Sequence, residues 1–291
     1  MTADFAERFA ANPDQAEFWN SAQAEKWVTH QADFDQRLRP LGEALIRRAC
    51  IRRGERVIDV GCGTGATTLE VAEQVGPEGS VLAIDLSAPM LALARRRSAD
   101  RGHDHVRFIC ADAQSHRFEE AAHDLLISRF GVMFFSDPVV AFGNLRIALR
   151  PGGRFDFVCW AALERNPWFA LPLAVGERWL GPAEPQPPHA PGPLAFSETG
   201  YVEEILAAAG FAEVAIETVT TRLPGAPTSQ AEAAFVCLAG PLARLIRTRE
   251  PDPTTERAIA LEVAEHFRPY QSEAGMRIPA TLHYVQARRP A

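Results

Sequence analysis

The amino-acid sequence predicts an α/β fold: a parallel sheet with helices on both faces, preceded by a helical extension and interrupted by an inserted cap. Three observations predict it. Short apolar runs, VIDV (57–60), VLAI (81–84), VRFIC (106–110) and DLLIS (124–128), are separated by helix-like stretches such as ATTLEVAEQV and APMLALARRR. The runs are apolar at successive positions, the pattern of strands covered on both faces. The first run passes through the glycine-rich turn VGCGTG straight into a helix-like stretch.

The elements follow in order. Residues 1–55 read as helical, because Leu38, Leu41, Leu45 and Ala49 recur three or four positions apart and make one apolar face. Arg52, Arg53 and Gly54 end that helix with cations and a stop residue. Residues 56–160 hold the alternating core. Its fifth strand, RFDFVCW (154–160), is entered through Pro151-Gly152-Gly153. Before that turn, residues 138–149 read as a helix with Ala141, Leu145, Ala148 and Leu149 on one face.

Residues 161–200 break the pattern. GPAEPQPPHAPGP (181–193) carries six prolines, which excludes a helix or an inner strand there. Trp160, Trp168, Phe169, Trp179 and Phe196 bracket it. The position just after the fifth strand's C-terminal end suits a lid or pocket wall. Residues 201–291 complete the sheet, with a helix at 201–211, a strand at 214–221, helical stretches near 228–247 and 253–267, and a last strand, ATLHYVQAR. Neither an internal repeat nor a second core is visible, so one α/β domain is expected.

Composition narrows the function. The chain has 291 residues, 47 % hydrophobic and 23 % charged, which excludes general disorder, collagen and a heptad rod. Its 30 Lys and Arg stand against 37 Asp and Glu, and a net charge of −7 argues against a nucleic-acid partner. No stretch approaches the ~18 apolar residues of a membrane span, and the N-terminus has no basic start before an apolar run. Five scattered cysteines, Cys50, Cys62, Cys110, Cys159 and Cys237, fit neither a disulfide framework nor a zinc site. Reduced thiols in the cytoplasm and no metal are expected.

The segment ERVIDVGCGTGATTLEVA is the most informative. Gly61, Gly63 and Gly65 permit a tight turn with positive φ and close approach of a ligand to backbone. The amides there form a cradle for polar groups. A nicotinamide dinucleotide, a flavin or S-adenosylmethionine could each use such a turn. Spacing alone does not decide, because Ala66 also satisfies the dinucleotide pattern. Asp59, two residues before Gly61, would repel a pyrophosphate but not an amino group or a sulfonium. Asp85 lies 24 residues after Gly61, a distance suited to both ribose hydroxyls, and Asp112 follows the third strand in ICADAQ.

These motifs resemble those of the class I S-adenosylmethionine-dependent methyltransferases, in the UbiE/Coq5-like (methyltransferase type 11/25) superfamily. VIDVGCGTG resembles the first motif, IDLSAPML the second-strand acid and its helix, ADAQ the adenine motif, and ALRPGGRF the approach to the fifth strand; together they span about residues 55–160. The resemblance implies a Rossmann-like seven-stranded sheet of order 3-2-1-4-5-7-6, with strand 7 antiparallel. It implies S-adenosyl-L-methionine as cofactor and S-adenosyl-L-homocysteine as product. Gly61, Gly63 and Thr64 would line the methionine part, and Asp59 would face its amino end or brace the loop. Asp85 would bind the ribose, Leu86 and Met90 would lie against the adenine, and Asp112 and Ala113 would meet its edge. Ser128 would sit near the sulfonium, with Arg129 and Phe130 facing the substrate. The cap at 161–200 and the helical segment at 228–267 depart from the family and leave any quinone-pathway assignment open.

Methyl transfer is an in-line displacement in which alignment supplies much of the acceleration. A base is needed only if the acceptor must lose a proton, so no catalytic residue is assigned; His30 and Arg129 are the candidates. Trp27, Arg129, Phe130, Trp160 and Trp168 are the substrate-pocket candidates. His103 and His105 precede the third strand, at the end away from the expected ligand, and His283 and Tyr284 lie in the last strand with their face undetermined. The expected function is methylation of a small, partly apolar or aromatic acceptor. The alternatives are an NAD(P)-dependent oxidoreductase and an S-adenosylmethionine-binding protein without chemistry. Ser128-Arg129-Phe130 stands where amino-methylating nucleic-acid enzymes carry Asn/Asp-Pro-Pro-Tyr. Oligomeric state stays open.

Overall fold

The computed structural model describes residues 9–291, and the helical expectation for residues 1–8 lies outside them. Three helices open the described chain: α1 (Pro13–Phe18), α2 (Ala22–Thr29) and α3 (Gln31–Ala49). An alternating core follows: β1 (Arg56–Val60), α4 (Ala66–Val75), β2 (Ser80–Asp85), α5 (Ala88–Asp100), β3 (Val106–Cys110), β4 (His123–Arg129), α6 (Pro138–Ala148) and β5 (Leu149–Trp160). Then come α7 (Pro167–Leu180), α8 (Thr199–Ala208), β6 (Ala212–Pro224), α9 (Ser229–Val236), α10 (Pro241–Arg249), α11 (Pro253–Phe267), β7 (Gln271–Ser272) and β8 (Gly275–Arg288).

The sheet runs β3-β2-β1-β4-β5-β8-β6. β1 to β5 are mutually parallel, and β8 is antiparallel to both neighbours. The two-residue β7 pairs only with β8. Without it the order is the expected one, with the last long strand inserted antiparallel beside β5. The interior strands earn their place by burial: Val57, Ile58, Leu125, Leu126, Ile127, Phe155 and Phe157 are fully buried. Helix α3 lays Leu41, Leu45 and Ala49 on this core, using the face its spacing predicts.

Two expectations need correction. The break at residues 161–200 contains a regular helix, α7. Its two prolines hide it in the sequence, yet Pro167 occupies the first turn, where a missing N–H costs nothing. Buried Asn166 fixes its start, donating from Nδ2 to the carbonyls of Ala161 and Ala162 at 3.0 and 3.1 Å and accepting from the Thr281 amide at 2.9 Å. The stretch that follows, residues 181–198, lacks helix and strand, its proline-rich part 181–193 as its composition demands.

A second core also exists. Val175 of α7, Val236 of α9, Leu242 of α10, Ile259, Val263 and Phe267 of α11, and Ile278 of β8 pack together. Its members come from five elements, so no local periodicity announces it. The helical stretch expected at 228–247 is two helices, broken at Gly240, whose φ of +88° is followed by a proline at the start of α10. Among the described residues no helix is long and apolar enough to cross a membrane, and no cluster of three His, Cys, Asp or Glu side chains could hold a metal. None of the five cysteines forms a disulfide.

Candidate functional site

A cavity of about 960 Å³ opens at the C-terminal ends of the parallel strands. One wall is the glycine turn after β1 with the ends of β2, β3 and β4; the opposite wall is made by α3, α7, the proline-rich stretch, α9 and α10.

The glycine wall is thin because it has to be. Gly61, Gly63 and Gly65 have φ of +69°, +55° and +87°. A Cβ on Gly61 would fall 2.5 Å from the Gly131 Cα, and one on Gly63 2.9 Å from the Met90 Cε. The Gly61 and Cys62 amides donate to the Ile84 carbonyl at 2.9 and 3.2 Å, tying the turn to β2. Arg97 of α5 donates to the Thr64 carbonyl at 2.7 Å and to Asp35 of α3 at 2.6 Å, holding the turn from above.

Three carboxylates surround this turn in different states. Asp85, at the end of β2, accepts from the Gly63 amide at 2.7 Å and from the Ser87 amide at 2.8 Å, and lines the cavity. Burial raises its pKa, and those amides oppose the rise. Asp112 lines the cavity after β3. Its Oδ1 accepts from the Gln114 amide at 2.9 Å, its Oδ2 is buried without a partner, and burial raises its pKa. Asp59 lies behind the turn. Its Oδ2 accepts from the Thr68 hydroxyl at 2.6 Å, while its Oδ1 is buried and unpartnered. Burial pushes its pKa up to about 6, against the lowering effects of the Thr68 bond and the nearby Arg129. A buried oxygen without a donor is costly; that of Asp112, on the cavity wall, fits a ligand that brings a hydrogen-bond donor, whereas Asp59 does not line the cavity. Asp59, by its Thr68 bond, also braces α4.

The other named residues divide clearly. Gly61, Gly63, Thr64, Leu86, Met90, Ala113, Arg129, Phe130, Trp27, Trp160 and Trp168 all line the cavity. Ser128 does not: it is fully buried and donates to the Val60 carbonyl at 2.7 Å, so it supports the turn from beneath the sheet end. His30 does not either. It caps α2, lies 3.6 Å from Asp33 and meets the Phe235 edge. His103 and His105 are also off the cavity wall, with His105 Nε2 3.0 Å from the Ala72 carbonyl. His283 turns away, hydrogen-bonded to Thr218 and the Ser197 carbonyl, and the Tyr284 hydroxyl donates to the Leu41 carbonyl at 3.4 Å.

The cavity is also lined by aromatic side chains. Phe130 stacks on Trp160 with centroids 4.7 Å apart, and Trp27 stacks on Phe34 at 3.8 Å. Phe130 has a φ of +67°, a left-handed strain that costs energy in a bulky residue and recurs at functional sites. Gly131 follows it because a Cβ there would lie 2.5 Å from the Val60 carbonyl oxygen.

Sequence reasoning missed several residues of this site. Glu232 of α9 is fully buried and accepts from Arg37 of α3 at 2.8 Å and from the Trp168 indole of α7 at 2.7 Å, joining three elements of the acceptor wall. Asn20 donates to the Leu86 carbonyl and accepts from the Ala88 amide, each at 3.0 Å. Asn12 donates to the Phe134 carbonyl at 2.9 Å. Asn20 fastens the N-terminal helices over the end of β2, and Asn12 ties them to the loop after β4. A single polar residue between helices carries no signal at the sequence level.

A doubly wound sheet with this turn and three strand-end acids defines a class of nucleoside-cofactor proteins. Residues 57–153 match the family described as a methyltransferase domain. The chain is 35 % identical over 118 residues to aklanonic acid methyltransferase DauC of Streptomyces sp. (strain C5), covering 40 % of this chain and 54 % of that one. It is 32 % identical over 187 residues to nocamycin O-methyltransferase of Saccharothrix syringae, covering 60 % and 66 %. The chain thus spans between half and two thirds of the length of these relatives. It shares its fold with the crystal structure of the cyclase SpnF, at a TM-score of 0.53 and 21 % identity over 87 % of this chain and 81 % of that one. Residues 57–153 thus carry a methyltransferase domain, and the chain is similar to class I S-adenosylmethionine-dependent methyltransferases.

Proposed function

We propose that this chain transfers the methyl group of S-adenosyl-L-methionine to a small, partly apolar or aromatic acceptor. The observation that carries the reading is the set of three strand-end carboxylates around the glycine turn, two of them with an unpartnered buried oxygen. Asp85 has both oxygens oriented by backbone amides, leaving further lone pairs for the ribose hydroxyls. Asp112 offers its free oxygen to the adenine amino group, between Leu86, Met90 and Ala113. Asp59 offers its free oxygen to the ammonium of the methionine part, over Gly61, Gly63 and Thr64. Ser128 acts from beneath, by holding the Val60 carbonyl.

The cofactor supplies a methyl on a sulfonium: the acceptor's nucleophilic atom gains the carbon as the carbon–sulfur bond breaks, with its electron pair left on sulfur as S-adenosyl-L-homocysteine. The chain's part is positioning. The stacked Phe130–Trp160 pair and Trp27, Trp168 and Phe169 make a flat apolar wall, which favours a planar apolar acceptor. Similarity to proteins named for methylating aklanonic acid and nocamycin supports a small-molecule acceptor. Cysteines without disulfides fit a reducing cytoplasm.

Because a cyclase shares the fold, binding and chemistry need separate tests. Calorimetric titration with S-adenosylmethionine, S-adenosylhomocysteine and NAD(H) is expected to give micromolar binding of the first two. Asp85→Ala is expected to weaken both about tenfold or more, the effect of losing charged hydrogen bonds of roughly 1.5–3 kcal/mol each. Binding of NAD(H) in their place would overturn the reading. Transfer of labelled methyl to aromatic acids and polyketides then tests the chemistry.

A further inference from the structure

Helix α10, PLARLIRTR, is amphipathic: Leu242, Ala243 and Leu245 are buried, while Arg244, Arg247 and Arg249 are exposed. Its seating fixes where those arginines stand. Gly176 of α7 admits the buried face, because a Cβ there would lie 2.6 Å from the Leu242 Cδ1 and 3.2 Å from the Leu245 Cδ2. Gly240, just before the helix, lies against two cavity aromatics: a Cβ on it would fall 3.3 Å from the Phe169 ring and 3.6 Å from the Trp168 ring. At the other end Arg249 donates to the Pro182 carbonyl at 2.9 Å, tying the helix to the proline-rich stretch. Arg244 and Arg247, three residues apart, share one side of the helix and line the cavity where it meets solvent.

The chain has 37 acidic residues with which to pair these arginines. Neither Arg244 nor Arg247 makes an ion pair among the described residues, although Asp14 and Glu184 line the same cavity. Arg37, also on the wall, is by contrast neutralised by Glu232 at 2.8 Å. The Arg247 guanidinium lies over the Phe18 ring, 5.6 Å from its centroid. The ring takes none of its N–H donors, which stay available to an oxyanion. Phe18 is also the end of a run of cavity-lining rings. Successive rings stand 3.8–6.2 Å apart, from Phe18 through Trp27 and Trp168 to Phe130, just after β4.

A molecule that is apolar along its length and anionic at one end fits this arrangement. We propose that the methyl acceptor is such an anion: its oxyanion group meets Arg244 and Arg247 at the cavity mouth, and its planar body lies along the rings. This rests on the methyl-transfer reading and gives the acceptor its chemical class. Arg247 follows Gly240 by seven residues, about 10 Å along a helix, so the anionic group stands about that far from the Trp168–Phe169 pair. The methylated atom must reach the strand ends instead, and the product keeps its negative charge. A chain of net charge −7 repels an anion on average, and the two arginines reverse that field at the entrance.

Calorimetry with the purified chain, with and without saturating S-adenosylhomocysteine, tests this with two planar probes: 6-hydroxy-2-naphthoate and its neutral amide, 6-hydroxy-2-naphthamide. The native chain is expected to bind the naphthoate about tenfold more tightly, the scale of two charge-assisted contacts at a solvent edge. The preference should shrink as salt rises, because the arginines are exposed. Arg247→Gln is expected to remove about threefold of it, and Arg244→Gln with Arg247→Gln nearly all of it. The naphthamide should stay within about twofold throughout, which reports an intact cavity. Equal binding of the two probes by the native chain would overturn the proposal, as would a preference that survives the double variant. A preference lost only in Arg129→Gln would overturn it in favour of Arg129. Binding of neither probe would overturn the seat along the rings. A native chain that shows the preference but binds no S-adenosylhomocysteine would sink the methyl-transfer reading and leave the anion site standing.

Discussion

The two walls of the cavity are built by different physics. The cofactor-side wall is backbone: three glycines, the amides that hold Asp85, and strand ends fixed in register. The acceptor-side wall is side chain: stacked aromatics and one buried ion pair between residues 195 positions apart. A backbone wall has few alternative shapes and suits a constant ligand. A side-chain wall can be recut by single substitutions while the cofactor stays in place, which is how one fold serves many acceptors. The methyltransferase family match covers 57–153 and stops before the cap.

The largest expected effect falls on the acceptor wall. Glu232→Ala leaves the Arg37 guanidinium buried against Phe235, 3.7 Å from its ring, and strips the Trp168 indole of its acceptor. Breaking a buried pair from one side costs about 3–5 kcal/mol. Urea denaturation should show that loss, and the double variant Arg37→Met with Glu232→Met should recover the part owed to the unpaired guanidinium but not the part owed to the Trp168 indole and the Ala226 amide, which lose their acceptor in both variants. S-adenosylmethionine affinity should stay within about threefold in the double variant. A tenfold fall would mean that the two walls are one cooperative unit and would end the distinction.

The second effect belongs to the cofactor wall and changes with pH. Asp59 has a pKa of about 6 in the folded chain, raised by burial from an ordinary 3.8. Below about pH 4 both folded and unfolded chains hold the proton. Between about pH 4 and 6 the folded chain keeps a proton that the unfolded chain has released, so stability falls as pH rises. Above that window both are ionised and the full cost, at most about 3 kcal/mol, is present. Asp59→Asn should therefore be more stable than the native chain at pH 8, equal to it near pH 4, and flat between. The same variant should bind S-adenosylmethionine more weakly, having lost the charge that faces the ammonium. If stability and affinity fell together, Asp59 would be only a brace for Thr68.

The contrast also explains what could be read in advance. Asp85 and Asp112 were legible as cavity-lining acids because strand ends beside a glycine turn are fixed by local sequence, whereas Asp59 stands behind the turn and off the cavity wall. Trp27, Phe130, Trp160 and Trp168 were legible as aromatic neighbours of the cavity, though not their stacking. Ser128 was placed one layer too high, since a strand's alternation does not say whether its last side chain clears the neighbouring backbone. His30 lies on the N-terminal helical segment that covers the cavity, but its position as the α2 cap turns it to Asp33. Glu232, Arg37 and the second core were invisible because each depends on partners far along the chain. Helix α7 was hidden by its two prolines, one in its first turn and one, Pro172, inside it.

The smallest effect tests whether the N-terminal helices belong to the cofactor wall or merely cover it. Asn20 is joined to the β2–α5 junction by two neutral bonds at 3.0 Å, one to the Leu86 carbonyl and one from the Ala88 amide. Each is worth about 0.5–1.5 kcal/mol net, and both partners regain water when the helix lifts. Asn20→Ala should thus lower global stability by about 1 kcal/mol, less than either change above. Its effect on the cofactor should exceed what that number implies if the helices close over bound adenine, because the same two bonds must then break before the ligand leaves. Stopped-flow dissociation of S-adenosylhomocysteine separates the cases: a several-fold faster release with an unchanged association rate makes the asparagine a clasp, and equal rates make the extension a cover that the cofactor does not feel.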